Sequence, residues 1–277
     1  MAAELEYIKV NNRFGYYKSS TEKNGRDTFI NEIHEGLNKE QKSLPPKYFY
    51  DDIGSDLFEK ICITPEYYVT RTENSILENY SNEIALNCNG IDIITELGSG
   101  NSVKTRNILK AFLGLNKNLT YIPIDVSDIL ISSGITLTEK FSSLIVKGVI
   151  GEYEESLEFI SGKYNDPRLI LFLGSSIGNF DPEYAELFLA KIAGNMRSGD
   201  KILIGFDMVK DEGVLNAAYN DSAGVTAEFN LNLLRRINRE LNADFDLKNF
   251  AHKAFFNPGQ SRIEMHLVSL IKAECKS

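Results

Sequence analysis

Between residues 91 and 207, five short apolar runs recur, and each ends on glycine or an acid. The runs cover 91–94, 119–124, 144–146, 169–173 and 202–206. The stretches between them, among them 103–113 and 183–196, are amphipathic at helical spacing. The later runs are apolar at consecutive positions, as central strands covered by helices on both faces must be. Strand alternating with helix predicts a doubly wound α/β sheet. No other feature of the sequence restricts the fold as much.

Outside this block the pattern differs. The first 25 residues are polar and mixed and read as a loose first element. Asp27 is a candidate cap for a helix over 28–36, and short helices are expected over 56–61 and 72–87. In the last of these, Ile76, Leu77, Tyr80 and Ile84 are the expected inward face. A longer helix is expected over 218–241, and residues 262–268 alternate like a strand. The expected organisation is a core over 72–207 and a second, smaller lobe from 1–71 plus 208–277.

Composition excludes several classes. A net charge of -9 argues against a nucleic-acid backbone binder, which needs a basic face. Cys62, Cys88 and Cys275 are far apart and form no CxxC pair, so free thiols are expected. His34, His252 and His266 lack metal-ligand spacing, and no metal is expected. The chain shows no signal peptide and no apolar run long enough to span a membrane, so a cytoplasmic protein is expected.

In an open parallel sheet, ligands bind beyond the carboxyl ends of the strands. Here those ends carry Glu96-Leu97-Gly98-Ser99-Gly100, Asp125, Gly151-Glu152-Tyr153, Gly174-Ser175-Ser176-Ile177-Gly178-Asn179 and Asp207. Gly98 and Gly100 let backbone approach a ligand. Asp125 is placed to accept from ribose hydroxyls, and Glu152 from an adenine amino group with Tyr153 stacking nearby. Singly, the glycine loop is an ordinary turn and Asp125 a helix cap. In register they favour a nucleoside. The third glycine of a dinucleotide fingerprint is replaced by Val103, and no GxxxxGK[ST] loop occurs. A nucleoside without pyrophosphate fits better, and a sulfonium would suit an acid such as Glu96.

Several segments resemble one family, the histidine-specific Nα-methyltransferases of ergothioneine (hercynine) biosynthesis. They are Leu44-Pro45-Pro46-Lys47-Tyr48-Phe49-Tyr50-Asp51-Asp52, Thr64-Pro65-Glu66-Tyr67-Tyr68, the Glu96–Gly100 loop with Lys104-Thr105-Arg106, Phe172 through Asn179, and Gly224-Val225-Thr226-Ala227-Glu228-Phe229-Asn230. The resemblance implies a Rossmann-like class I methyltransferase sheet and S-adenosylmethionine as cofactor. It places Gly98, Gly100, Lys104, Asp125, Glu152 and Tyr153 in the cofactor pocket. Phe58, Tyr67, Gly174, Asn179, Tyr219 and Met265 would form the pocket for an amino-acid substrate, L-histidine, with Tyr50 and Asn179 at the reacting amine. Asn179 and Tyr219 would hold the α-carboxylate and amino group, and Tyr67 would lie near the imidazole. Taken singly, Tyr219 and Met265 read as core.

The family continues past the 262–268 strand with an acid for the imidazole and final strands, and nothing here matches those parts. Two other readings follow: a methyltransferase for another small amine, and a cofactor-binding protein without catalysis. A nicotinamide dehydrogenase is disfavoured by Val103.

Overall fold

A computed structural model describes residues 5–19, 25–115 and 118–272. Along the chain the elements are β1 (Leu5–Lys9), β2 (Phe14–Ser19), α1 (Gly25–Asn38), α2 (Asp52–Cys62), α3 (Val69–Asn87) and β3 (Ile93–Leu97). There follow α4 (Thr105–Leu115), β4 (Leu119–Asp125), α5 (Ile129–Lys140), β5 (Leu144–Ile150), α6 (Tyr153–Lys163), β6 (Arg168–Phe172), α7 (Pro182–Asn195) and β7 (Lys201–Ile204). The last are α8 (Glu212–Ala218), α9 (Val225–Leu241), β8 (Phe250–Asn257) and β9 (Arg262–Ser269). The chain divides into two compact units, residues 1–23 with 72–207, and residues 24–71 with 208–277.

The first unit is a seven-stranded sheet in the order β1-β2-β5-β4-β3-β6-β7. All pairings are parallel except β1 with β2. After β1 and β2 at one edge, the chain enters the middle at β3, builds outward through β4 and β5 towards β2, then returns to β6 on the other side. That reversal is the switch point where open α/β sheets bind ligands. Side-chain alternation explains the consecutive apolar runs. Leu169 and Leu171 of β6 join one core with Ile94, Ile108 and Phe112, whereas Ile170 and Phe172 join another with Leu97, Ile122 and Phe188. The central strands β3, β4 and β6 therefore bury both faces.

Three expectations need correction here. The first residues are not a loose element belonging to the second lobe, because β1 and β2 extend the sheet. Phe14 and Tyr17 are buried, and β2 pairs with β5 in register Phe14 to Val146. The short run with Gly15 in it hid this strand. On α3, Ile76 and Tyr80 are exposed, while Leu77, Ser81 and Ala85 face inward, as does Cys88 just past its end. Ser81 is tolerated there because its hydroxyl donates to the Leu77 carbonyl within the helix. Asp27 lies in the first turn of α1 rather than capping it, and Asp51 instead caps α2 by accepting from the Gly54 amide at 2.7 Å. Residues 20–24 and Cys275 lie outside the described residues.

The second unit is built on α9, whose Leu233, Leu234 and Ile237 pack with Phe29, Ile33 and Tyr48. An antiparallel hairpin, β8 with β9, completes it. The helix expected over 218–241 begins only at Val225, and Ala218 ends a separate helix, α8. Gly224 adopts φ 73°, and Asp221 accepts from the amides of Val225 (2.8 Å) and Thr226 (2.7 Å). This side chain satisfies donors that the start of α9 leaves unpaired. Asp221→Ala should lower stability by about 1 kcal/mol, read as a shift in urea midpoint without a change in slope. An unchanged midpoint would show that water replaces the cap. The break also places Tyr219 at the end of α8 rather than inside a helix.

Candidate active site

The carboxyl ends of the parallel strands gather the residues expected to hold a nucleoside. After β3 the chain turns at Gly98 (φ 69°) and Gly100 (φ 48°). The Gly98 amide donates to the Ile124 carbonyl at 2.9 Å. A Cβ at Gly98 would lie 2.7 Å from the Tyr153 hydroxyl, so the close approach as well as the dihedral demands glycine. Tyr153, first residue of α6, rests its ring on Phe172 and Phe188. Glu152 occupies the N-cap position of that helix and is exposed.

Asp125 ends β4. One oxygen accepts from the Gly100 amide at 2.8 Å, and the other from the Ser127 amide and hydroxyl at 3.0 and 2.9 Å. It does not cap α5, which begins after Asp128. A carboxylate offers about four acceptor positions, so at least one remains for a ligand hydroxyl.

Glu96 does a different job from the one its sequence position implies. Its side chain is buried beneath the loop and accepts from the Thr105 hydroxyl (2.7 and 2.8 Å) and from Tyr121. The Tyr121 hydroxyl also meets Ser102, which holds φ 53°, at 3.0 Å. This cluster ties the loop to the sheet from below. Burial pushes the Glu96 carboxyl up to about 7, even though hydrogen bonds from Tyr121 and Thr105 and the nearby Lys104 charge favour the ionised form.

After β6, Gly174 (φ 80°) and Ser175 (φ 57°) turn the chain into a short 3₁₀ turn, Ser176–Asn179. Asn179 is exposed at the end of that turn. The Ser175 hydroxyl accepts from the Asp207 amide at 2.9 Å, linking this turn to the end of β7. Sequence reasoning missed Glu73 on α3. Its carboxylate accepts from the Gly174 amide at 2.7 Å and pairs with the Lys104 ammonium. Nothing in the local pattern marks an acid on a helix as a partner of residues 31 and 101 positions away.

In the second unit, Tyr50, Phe58, Tyr67, Tyr219 and Met265 fall into a single cluster. Ring centroids are 5.5 Å apart for Tyr50 and Phe58, 6.3 Å for Phe58 and Tyr67, and 5.9 Å for Tyr67 and Tyr219. The edge-to-face angles of 75–81° are those aromatic rings favour. Phe229 of α9 lies against Phe49, Tyr50 and Phe58. Its helical periodicity marked it as buried but not as the hub of this cluster.

Polar residues hold the cluster in place. Arg71 donates to the carbonyls of Thr64 (2.6 Å), Pro65 (2.7 Å) and Tyr67 (3.0 Å), fixing the Tyr67 loop. Glu66 accepts from the Ser222 amide at 3.0 Å. His252 meets the Tyr219 carbonyl at 2.9 Å through Nε2 and Asn230 at 2.9 Å through Nδ1. A neutral imidazole with its proton on Nε2 satisfies both contacts. Beside Tyr50, burial raises the Asp51 carboxyl, but hydrogen bonds from Arg239, Gly54 and Asn232 outweigh it and hold the group below the usual carboxylate range. No helix among the described residues is long and apolar enough to cross a membrane.

The strand order β5-β4-β3-β6-β7, the glycine turn after β3 and the acid ending β4 define a Rossmann-like α/β protein with a nucleoside-type site at its switch point. A family described as "Histidine-specific methyltransferase, SAM-dependent" matches residues 29–277. The chain is 46% identical over 237 residues to the histidine N-alpha-methyltransferase of Mycolicibacterium smegmatis, covering 85% of this chain and 73% of that one. It is 31% identical to ergothioneine biosynthesis protein 1 of Neurospora crassa, covering 81% of this chain and 27% of that one. It is also 30% identical to the 4-dimethylallyltryptophan N-methyltransferase of Claviceps purpurea, covering 72% of this chain and 61% of that one. The chain belongs to the histidine-specific, S-adenosylmethionine-dependent methyltransferase family.

Proposed function

We propose that this protein methylates the α-amino group of L-histidine with S-adenosylmethionine, giving the trimethylhistidine of ergothioneine biosynthesis. The 46% identity to a histidine N-alpha-methyltransferase over 85% of the chain carries this reading. The 30% identical relative named for a tryptophan derivative shows that related sequences act on other amines. Those relatives differ more from this chain, so histidine is the substrate proposed.

The residues at the strand ends fit the cofactor. Gly98 and Gly100 leave no side chain over the loop, Asp125 retains acceptor capacity for ribose, and Tyr153 lies against the Gly98 turn with Glu152 preceding it in the chain. Lys104 supplies a cation. S-adenosylmethionine supplies a methyl group made electrophilic by its sulfonium. The chain's own task is to bind, orient and desolvate a neutral amine. Asn179 and Tyr219 are proposed to hold the substrate's amino and carboxylate groups, with Phe58, Tyr67, Gly174 and Met265 around the side chain. An Asn and a Tyr provide donors and acceptors without adding a buried charge.

The α-ammonium must lose a proton before its lone pair is available. Tyr50 is proposed to orient a water that receives it. Tyr50→Phe should slow methyl transfer about 100-fold, within the range for positioned proton transfer, while S-adenosylhomocysteine binding stays within about twofold. Equal rates for the two proteins would remove Tyr50 from the mechanism.

The function itself is tested by incubating the protein with labelled S-adenosylmethionine and a panel of amino acids, with products read by mass spectrometry. Histidine carrying one, two and three methyl groups is expected. Transfer to another amine in preference to histidine would reassign the substrate. Cofactor binding without transfer to any amine would make this a binding protein.

A further inference from the structure

Three strand ends converge on one carboxylate outside the nucleoside contacts. Glu73 is 13% exposed at its side chain, and Lys104, with which it pairs, is 26% exposed. Its other oxygen accepts from the Gly174 amide. A Cβ at Gly205, just beyond β7, would lie 2.3 Å from that same oxygen, so Gly205 provides the space in which the carboxylate sits. A Cβ at Gly174 would lie 3.3 Å from the Lys104 nitrogen. Glu73 thus fixes the ammonium at the end of the cofactor loop and the backbone after β6 together.

A lysine ammonium on a flexible stem loses rotamer freedom when it is held. An ion pair that holds it beforehand reduces what a ligand must supply on binding. We propose that Glu73 is a positioning residue that presents the Lys104 ammonium to the carboxylate of the cofactor's amino-acid tail. This rests on the cofactor reading above. Glu73 acts through Lys104 and makes no contact with the reacting atoms. The neutral Gln would keep an acceptor for the Gly174 amide but turn its NH2 group towards the ammonium and release it.

The test compares two ligands by calorimetry. S-adenosylhomocysteine carries the amino-acid tail, whereas 5'-methylthioadenosine has the same nucleoside and thioether without it. Glu73→Gln should weaken S-adenosylhomocysteine about tenfold and leave methylthioadenosine within about twofold. A merely structural role would weaken both together. Gly205→Ala offers an independent route, because the new methyl clashes with the far end of the Glu73 side chain at 2.3 Å, whereas its 3.5 Å approach to the Gly174 backbone nitrogen is ordinary contact. It should give the same ligand pattern, and it decides the matter if Glu73→Gln does not fold. In a Lys104→Met background, Glu73→Gln should have no further effect on S-adenosylhomocysteine. Unchanged or tighter S-adenosylhomocysteine binding in the folded variants, or parallel loss of both ligands, overturns the proposal alone. Failure of the unaltered protein to bind S-adenosylhomocysteine overturns the cofactor reading and this proposal with it.

Discussion

Asp200→Ala should destabilise the sheet unit by about 3–5 kcal/mol, the usual effect of leaving a buried charge without its partner. Arg168 opens β6 with its side chain 2% exposed, and the Asp200 side chain is 2% exposed beside it. Asp200 pairs with the Arg168 Nε at 3.4 Å and also accepts from the amides of Arg168 and Arg197, each at 2.9 Å. Alanine removes all three contacts. The guanidinium keeps only its bonds to the Ser161 hydroxyl and the Asn195 carbonyl, at 2.5 and 2.7 Å. These neutral acceptors do not offset the charge. At about 2–4 °C per kcal/mol for a unit of this size, the thermal midpoint should fall by about 10 °C. The chain has no tryptophan, so circular dichroism is the natural probe. Asp200→Asn keeps volume and an acceptor and should lose less. Combining Asp200→Ala with Arg168→Leu should recover part of the loss, because it removes the stranded charge. An Asp200→Ala protein within 1 kcal/mol of the original would show that water reaches Arg168.

The second large effect is a pH dependence centred on Glu96. Burial raises its folded pKa from 4.5 to about 7. Between those values the folded protein retains a proton that the unfolded chain has released. Stability from this group is therefore fully present below about pH 4.5, declines as pH rises, and levels off above about pH 7. The span corresponds to about 3 kcal/mol. Tyr121 and Thr105 donate to the carboxyl, and the charges of Lys104 and Glu73 act on it from the loop and from α3. Glu96→Gln cannot ionise and should flatten the stability profile between pH 5 and 8. All other side chains are the same in both proteins, so the difference between the two urea-midpoint curves isolates Glu96. Parallel curves would sink the assignment and mean that Glu96 stays ionised under its loop.

Much of the site was legible because parallel strands buried on both faces leave consecutive apolar runs. Their carboxyl ends must then carry Gly or a polar residue if a ligand approaches. Gly98, Gly100, Asp125, Tyr153 and Gly174 were picked as candidates this way or by resemblance, and the structure sets Gly98 with Tyr153 and Gly100 with Asp125. The short strand at Phe14–Ser19 escaped because six residues containing Gly15 carry too little pattern. The break before α9 lies in Asn220-Asp221-Ser222-Ala223-Gly224, where turn residues interrupt the apolar pattern without marking which of them caps a helix. Only the hydrogen bonds from Val225 and Thr226 to Asp221 reveal where the helix begins.

Residue order alone determined the five parallel strands β3 to β7, the switch point at β3 and the acids and glycines around it. It could not say what each acid does. Glu96 and Asp125 both end strands, yet Glu96 is buried under the loop while Asp125 keeps an open acceptor. Glu73 has no local signal, yet it meets Lys104 and Gly174. A carboxylate's role depends on how far it is desolvated and on which donors come within about 3 Å. Folding delivers those donors from distant parts of the chain, so only the tertiary structure could settle the role of each acid.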